Sequence, residues 1–314
     1  SATFTTALVG NTKSLTVNGG DVIFTANPTD LVDLKTDATG TAKGSTEFPT
    51  AVSVSGDLII KDKLVLLADT TLTGKNITIG EVVSGRDGAV GIRSLTVNVA
   101  ADGLATFNGN VGVITLAANE DVLSTLTVNS VSSTGLFELG KGTISINTLG
   151  NQSYTIGGDI VGNVTLAGAD VGFTKAVEAQ RANAGTLLVN NTGSLTIGSG
   201  LGATRVLSSF TTGATGTTSL TGDLGAKTVD IKNALALGGD VIVTASTSAA
   251  FVGITGTSDS LTVNGGDVVF GAVPTGLVNL STDSGTGVAV RGSTKFTSAT
   301  PSLETTGAIT INDK

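Results

Sequence analysis

The chain has 314 residues and a formal charge of −8, and only 13% of its residues are charged and 4% aromatic. It contains no Cys, His, Met or Trp, which excludes disulfides, thiolate chemistry, imidazole bases and the usual zinc sites. The 17 basic residues are scattered, which argues against a nucleic-acid partner, and no apolar run is long enough to predict a transmembrane helix.

The first residues of the chain return near its end. Ser14–Leu34 and Ser260–Leu280 are identical at 16 of 21 positions, at a constant offset of 246. Weaker matches on both sides extend the repeat, so that residues 1–63 recur as 248–314. We therefore divide the chain into 1–247, one long repeat unit, and 248–314, the start of a second copy.

Two origins of this repeat stay open. The parent protein is a tandem array with a unit near 250 residues, or one module was duplicated at the two ends of a mature protein. The last residues, GAITINDK, follow a strand-like pattern without a polar cap. Since terminal repeats normally carry such a cap, we expect a window of a longer array.

Between the two copies, short segments alternate apolar and small polar residues. SLTV, NITIG, STLTVNS, TISIN and NVTLAG are examples. This period of two, rich in Thr and Val, is typical of strands with one buried face. In each S-L-T-V segment we expect Leu and Val to point inward and Thr outward.

The segments are separated by Gly-Asx turns. Gly supplies the positive φ of a tight corner, and we expect the Asp or Asn to cap its own backbone. The predicted structural turn residues are Gly19, Gly20, Asp21, Gly158, Asp159, Gly239, Asp240, Gly265, Gly266 and Asp267.

This density of strands and turns predicts an all-β fold, a parallel β-solenoid or β-helix. At roughly 20 residues a turn the chain would make about 15 turns. Tandem β-sandwich modules are the alternative, although sandwiches usually have a core Trp or several Tyr, and this chain has only Tyr154. Inside a narrow solenoid, Phe residues would fill corners or end the ladders: Phe4, Phe24, Phe107, Phe137, Phe173, Phe210, Phe251 and Phe270.

Residues 175–184 carry the one helix signal of the chain. The segment KAVEAQRANA is rich in helix formers and is followed by Gly185. We expect a short helical loop between turns of the solenoid.

Chemical sites are weakly indicated. Carboxylates are available at five positions for a polysaccharide-cleaving β-helix, but their spacing forces no catalytic pair: Asp57, Asp62, Asp87, Asp102 and Asp159. We predict no catalytic residue, no cofactor and no defined metal ligand. Oxygen ligands are plentiful, so a calcium ion between modules stays an open alternative without named ligands.

Segments such as SLTVNGGDVVF and IGGDIVGNVTLAG resemble the passenger regions of bacterial autotransporters and filamentous-haemagglutinin-like proteins, in particular the surface-layer passengers of rickettsia-type bacteria. The resemblance extends over nearly the whole chain but contains no diagnostic motif. It implies a right-handed parallel β-helix at the cell surface, in adhesion or coating.

We therefore expect an extracellular structural repeat protein that forms a fibre shaft or surface layer by stacking and self-association. Because the two ends share one module, the ends are expected to continue into one another, within a longer chain or between copies. An adhesin that binds glycans or a host surface is the first alternative, and a carbohydrate-active enzyme is the second.

Overall fold

A computed structural model describes residues 1–37, 44–83, 92–112, 122–132, 134–283, 292–298 and 305–313. The described chain is a parallel β-solenoid of about 13 turns, with 68% strand and no helix in these ranges. The predicted solenoid is confirmed. Strands follow one another in parallel register, whereas sandwiches are antiparallel. The turns are fewer than the roughly 15 predicted because their length varies: register partners are 20 residues apart for Ala2 and Val22 but 31 for Leu95 and Leu126.

Close contacts divide the chain into two units, Ser1–Gly168 and Ala169–Lys314. This division differs from the division by sequence repeat at residue 247, which reports similarity of sequence and not contact density. No helix in the described ranges is long and apolar enough to cross a membrane.

The first unit contains fifteen strands. Within the unit, strands pair in parallel with strands of the next turn, for example β2 with β4 and β8 with β9. The strands are β1 (Ala2–Phe4), β2 (Val9–Val17), β3 (Val22–Phe24), β4 (Thr29–Thr36), β5 (Ser45–Phe48), β6 (Ala51–Ser53), β7 (Asp57–Leu66), β8 (Thr70–Val83), β9 (Leu95–Phe107), β10 (Leu126–Ser130), β11 (Leu136–Leu139), β12 (Thr143–Asn147), β13 (Gln152–Tyr154), β14 (Gly157–Ile160) and β15 (Asn163–Gly168).

The second unit contains eleven strands with the same parallel pairing, for example β18 with β20 and β22 with β23. The strands are β16 (Val171–Phe173), β17 (Val177–Ala179), β18 (Ala184–Asn191), β19 (Ser194–Ile197), β20 (Leu207–Thr212), β21 (Thr217–Leu220), β22 (Leu224–Leu237), β23 (Val241–Phe270), β24 (Thr275–Thr282), β25 (Thr294–Phe296) and β26 (Ile309–Ile311).

Columns of like residues form the core. Leu72, Val97, Val128 and Tyr154 are register partners in successive turns, and all four are fully buried. The predicted orientation of the S-L-T-V segments is confirmed where the pattern lies mid-stack: Leu95 is buried and Thr96 is not. A parallel stack places equal positions above one another, so a period-2 segment builds an apolar ladder in every turn it enters.

Three stacked Phe rings form a column in each unit, and Phe137 lies against Tyr154 at 5.1 Å. In the first unit Phe24 lies between Phe4 and Phe48, with ring centroids 4.7 and 5.2 Å away and near-parallel planes. In the second unit Phe270 lies between Phe251 and Phe296, at 5.7 and 5.0 Å. Of the eight predicted ladder residues Phe4 is half-buried, and seven are buried: Phe24, Phe107, Phe137, Phe173, Phe210, Phe251 and Phe270.

The predicted helix at 175–184 is wrong. Val177–Ala179 is strand β17, a turn follows, and β18 begins at Ala184. Val177 and Ala179 are buried while Glu178 between them is only half-buried, which is the alternation of a strand. Stacking in the ladder supplies backbone partners and an apolar surface, and these outweigh the weak helix propensity of the segment.

Candidate functional site

The repeated module folds in the same register in both units. In the first copy Leu15 pairs with Leu34 and Val17 with Thr36, and in the second Leu261 pairs with Leu280 and Val263 with Thr282. Both copies also interrupt the ladder at equivalent places, after Val9 and after Thr255. The sequence repeat is therefore a structural repeat down to its irregularities.

The interruption is a bulge that overhangs a groove. In the first copy Val9 pairs with Thr29 but the next pair is Lys13 with Leu31, so residues 10–12 leave the ladder. Asn11 and Thr12 there have φ of 47° and 60°. A positive φ is a true outlier for a β-branched residue, and bulges are often found where a protein redirects its surface.

We call the space beneath this bulge groove A. It has a volume of about 450 Å³ and crosses three consecutive turns. Buried Pro28, Leu31 and Val54 form an aliphatic floor, and exposed hydroxyls form the rim. The lining includes Thr12, Thr29, Asp30, Leu31, Ser53 and Ser55.

Groove B occupies the equivalent place in the second copy and also has a volume of about 450 Å³. Its floor is Leu277, which forms a bridge to Thr305 as Leu31 does to Val54. Its rim again carries hydroxyls, and Gly276 stands where groove A has Asp30. The lining includes Gly256, Thr257, Ser258, Leu277, Thr305 and Thr306.

Asx side chains bind the next turn of the stack. Asp170 Oδ1 accepts hydrogen bonds from the Ser194 backbone N–H at 2.7 Å and from its hydroxyl at 2.9 Å. The expectation that these residues cap their own backbone is wrong at these positions. Equivalent bonds to a backbone N–H of the following turn are made by Asp21, Asn27, Asp33, Asp69, Asn110, Asp223, Asp240, Asp267 and Asn279.

A glycine often precedes the bound N–H. A methyl group on Gly193 would collide with Asp170 Oδ1, and one on Gly56 would collide with Asp33 Oδ1. The bonded N–H groups lower the pKa of the carboxyls: the Asp57 N–H acts on Asp33, and the Ser194 N–H and then its hydroxyl act on Asp170. The Asp side chains thus make contacts between turns, and a glycine in the following turn leaves room for them.

The predicted turn residues fall into two groups. Gly19 and Gly20 lie in a bend with φ of 94° and 62°, Gly239 lies in a bend, and Asp21 and Asp240 directly precede strands. The others lie within strands and not in turns: Gly158 and Asp159 in β14, and Gly265, Gly266 and Asp267 in β23. At Gly265 and Gly266 the reason for glycine is close approach, since a Cβ on either would collide with a carbonyl oxygen of Ala245 or Thr247.

A polar corner lies inside each module, and it is fully buried in the first copy. Thr36 and Thr46 both donate hydroxyl hydrogen bonds to Asp62, at 2.8–3.1 Å, and all three are buried. In the second copy Thr294 contacts the hydroxyl of Thr282 at 3.0 Å and Asp313 Oδ1 at 2.9 Å. The sequence placed Asp62 only among five carboxylates available for catalysis, because a buried Asp has no periodic signal of its own.

The described carboxylates considered for catalysis lie on three strands, β7, β9 and β14. Asp57 accepts a hydrogen bond from Asn76 at 3.0 Å and lies 3.8 Å from Lys35 Nζ, while Asp62 is buried in its corner. Asp102 lies in β9 and Asp159 in β14, and Asp87 is outside the described residues. No group of three or more metal-ligating side chains occurs in the described ranges.

No family model, no curated protein and no solved structure matches the chain. The parallel β-solenoid is compatible with a β-helix passenger region.

Proposed function

We propose that this chain is a structural, extracellular repeat protein whose stacked turns form part of a fibre shaft or surface layer, of the autotransporter-passenger type that its sequence resembles. The observation that carries the proposal is the module that recurs with one register, one Phe column and one set of Asx bonds. In a solenoid each turn contacts only its neighbours, so such a module extends length without new interactions.

Self-association is the second part of the proposal. The outward face carries few charges and many hydroxyls, and apolar side chains are exposed on β23, where Ile242 is 45% and Val252 54% exposed. Apolar groups on a weakly charged surface favour lateral contact between copies.

The test is electron microscopy and sedimentation velocity of the purified chain over a wide concentration range. We expect rods with an axial repeat near ~4.8 Å that associate into filaments or sheets as concentration rises. The double variant Ile242→Lys/Val252→Lys should associate less, with Thr3→Lys as a matched control. A chain that stays strictly monomeric at high concentration would contradict self-association.

A second candidate function is adhesion, and the pair of equivalent grooves favours it. An aliphatic floor with a hydroxyl rim suits the apolar face and hydroxyls of a neutral glycan, and two such grooves on one chain would raise avidity. The probe is an array of neutral glycans. Ser53→Arg should fill groove A and Thr305→Arg groove B, with each single variant weakening binding and the double variant abolishing it.

The control for these variants is Ala214→Arg, at an exposed position away from both linings. Binding that survives the double variant would show that the grooves do not hold the glycan. An array without any bound glycan would remove the adhesin function in this form and leave the structural proposal unaffected.

A further inference from the structure

The corner around Asp62 contains two buried carboxyl groups. Asp37 follows Thr36 in the chain and is 4% exposed, and Asp62 is 2% exposed. We call Thr36, Asp37, Thr46 and Asp62 the acid corner. Its hydrogen-bond donors are unequally shared between the two carboxyls.

Asp37 accepts one backbone hydrogen bond, and its second carboxyl oxygen has no donor. Its Oδ1 accepts the Gly19 N–H, a bond from a neighbouring turn. Its Oδ2 is buried and has no hydrogen-bond partner. Asp62 receives the hydroxyls of Thr36 and Thr46 on its carboxyl oxygens. Two ionised carboxylates here would be short of donors and would repel each other.

The chain contains the same corner in a neutral form. Thr212 and Thr218 donate their hydroxyls to Asn233 Oδ1 at 3.2 and 2.8 Å, as Thr36 and Thr46 do to Asp62. The Asn233 amide donates to the Thr215 carbonyl at 3.0 Å. The residue after Thr212 is Gly213, so no second carboxyl is present. The corner therefore requires an acceptor for two hydroxyls and does not require a charge.

We propose that Asp62 is held as a neutral carboxylic acid beside the buried carboxyl of Asp37, which makes the first module a pH-sensitive element of the fold. A protonated Asp62 still accepts both Thr hydroxyls, as Asn233 does, and it no longer repels Asp37. When Asp62 loses its proton, the module contains two like charges in a buried space.

The surroundings of Asp62 agree with this assignment. Burial is the main cause that raises the pKa of Asp62, and the negative charge of Asp37 raises it further, against the opposing hydroxyl bonds. The other charged residues near it are Lys61 and Lys63 on its own strand, Glu47 after Thr46 on β5, and Glu81 on β8, the register partner of Lys63. Asp37 is the charged group that acts on it most directly.

The direction of the pH effect follows from linkage. Folding raises the pKa of Asp62, so the folded chain holds this proton more tightly than the unfolded chain does. The contribution to stability is complete below the ordinary range of a carboxyl and is lost as pH rises through the raised value. Each unit of pKa elevation corresponds to about a tenfold change in the unfolding equilibrium constant.

The second copy offers a contrast. Asp283, the equivalent of Asp37, accepts the N–H of Gly265 at 2.8 Å and that of Gly292 at 3.3 Å, one on each oxygen. Asp313, the equivalent of Asp62, is only half-buried and accepts the Thr294 N–H at 2.6 Å. Each oxygen of these two carboxylates therefore accepts a hydrogen bond, unlike Asp37 Oδ2 in the first copy.

The experiment compares Asp62→Asn with the wild-type chain by urea unfolding at a series of pH values from mildly acidic to neutral. Near the acidic end the two should unfold alike. As pH rises, the variant should become more stable than wild type. The difference in the unfolding equilibrium constant should be about tenfold for each unit by which folding raises the pKa of Asp62. Asp313→Asn is the matched control and should show no such gain.

Carboxyl ¹³C NMR of the wild-type chain tests the proposal without a variant. The Asp62 resonance should titrate above the ordinary range for Asp, and in Asp37→Asn it should titrate lower than in wild type. An Asp62 resonance in the ordinary range, or parallel pH profiles for wild type and Asp62→Asn, would overturn the proposal. If Asp62→Asn fails to fold, the wild-type titration still decides between the two outcomes.

Discussion

At the scale of single residues, hydrogen bonds from Asp and Asn side chains join consecutive turns. Asp170 reaches forward to Ser194, and Gly193 leaves the space that its carboxylate needs. Because the bond is made to a backbone N–H, it pins one turn to the next independently of the side chains in the core. The Asp of one turn therefore supplies the acceptor, and the glycine of the following turn leaves the space for it.

The exchange Asp170→Ala should lower the free energy of unfolding by about 1 kcal/mol at neutral pH, a value reduced for solvent screening because the carboxylate is only half-buried. Folding lowers the pKa of Asp170, so this contribution is present above the ordinary carboxyl range and lost as pH falls through the lowered value. Urea unfolding at several pH values measures it.

Gly193→Ala is the partner variant, since its methyl group would displace the Asp170 carboxylate. We expect a similar loss and a double variant that costs less than the sum. Asp170→Asn retains an acceptor and should lose less, without pH dependence. Equal stability of Asp170→Ala and wild type at neutral pH would show that the bond between turns contributes nothing.

At the scale of elements, strands β1, β3 and β5 are joined by their Phe column as well as by backbone bonds. Phe24 is 1% exposed and is stacked on both faces, by Phe4 and Phe48. Phe270 has the same position in the second unit. Parallel stacking brings equal side chains to contact distance, so an aromatic at one position favours an aromatic at the same position one turn later.

Phe24→Ala should lower the free energy of unfolding by roughly 3–5 kcal/mol, because it removes the middle ring of the column and leaves a cavity between Phe4 and Phe48. Phe270→Ala should cost a similar amount. Far-ultraviolet circular dichroism in urea is the suitable measurement, since the chain has no Trp. Thr3→Ala, at an exposed position of β1, is the control, and a Phe24→Ala effect as small as that of Thr3→Ala would contradict the importance of the column.

At the scale of the whole molecule, stability comes from many small contacts between successive turns. Aliphatic ladders, Phe columns and Asx bonds each involve one turn and its neighbour. Such a chain gains length by repeating a module, which is the physical basis of the proposed fibre or surface-layer role and of the expected association with concentration. The proposed acid corner adds a dependence on pH to the first copy of the module.

The sequence by itself determined the fold class and the position of the duplicated module. The patterns that predict the fold are local: apolar and polar residues alternate, the strands are rich in Thr and Val, and Gly-Asx pairs separate them. A stack preserves these patterns turn after turn. The helix predicted at 175–184 is wrong because stacking in the ladder outweighs helix propensity. The turns predicted at Gly158 and Gly265 are strand positions, where glycine allows a close approach to the neighbouring turn.

The tertiary structure alone decided which residues meet across turns. Asp62 binds Thr46 at a separation of 16 residues and Thr36 at 26, while Asp170 binds Ser194 at 24. Because turn length varies, for example 17 residues at Thr217 and 32 at Leu104, no constant offset in the sequence identifies the partner. The acid corner, the grooves and the bonds between turns all depend on that offset, and only the register of the folded ladder sets it.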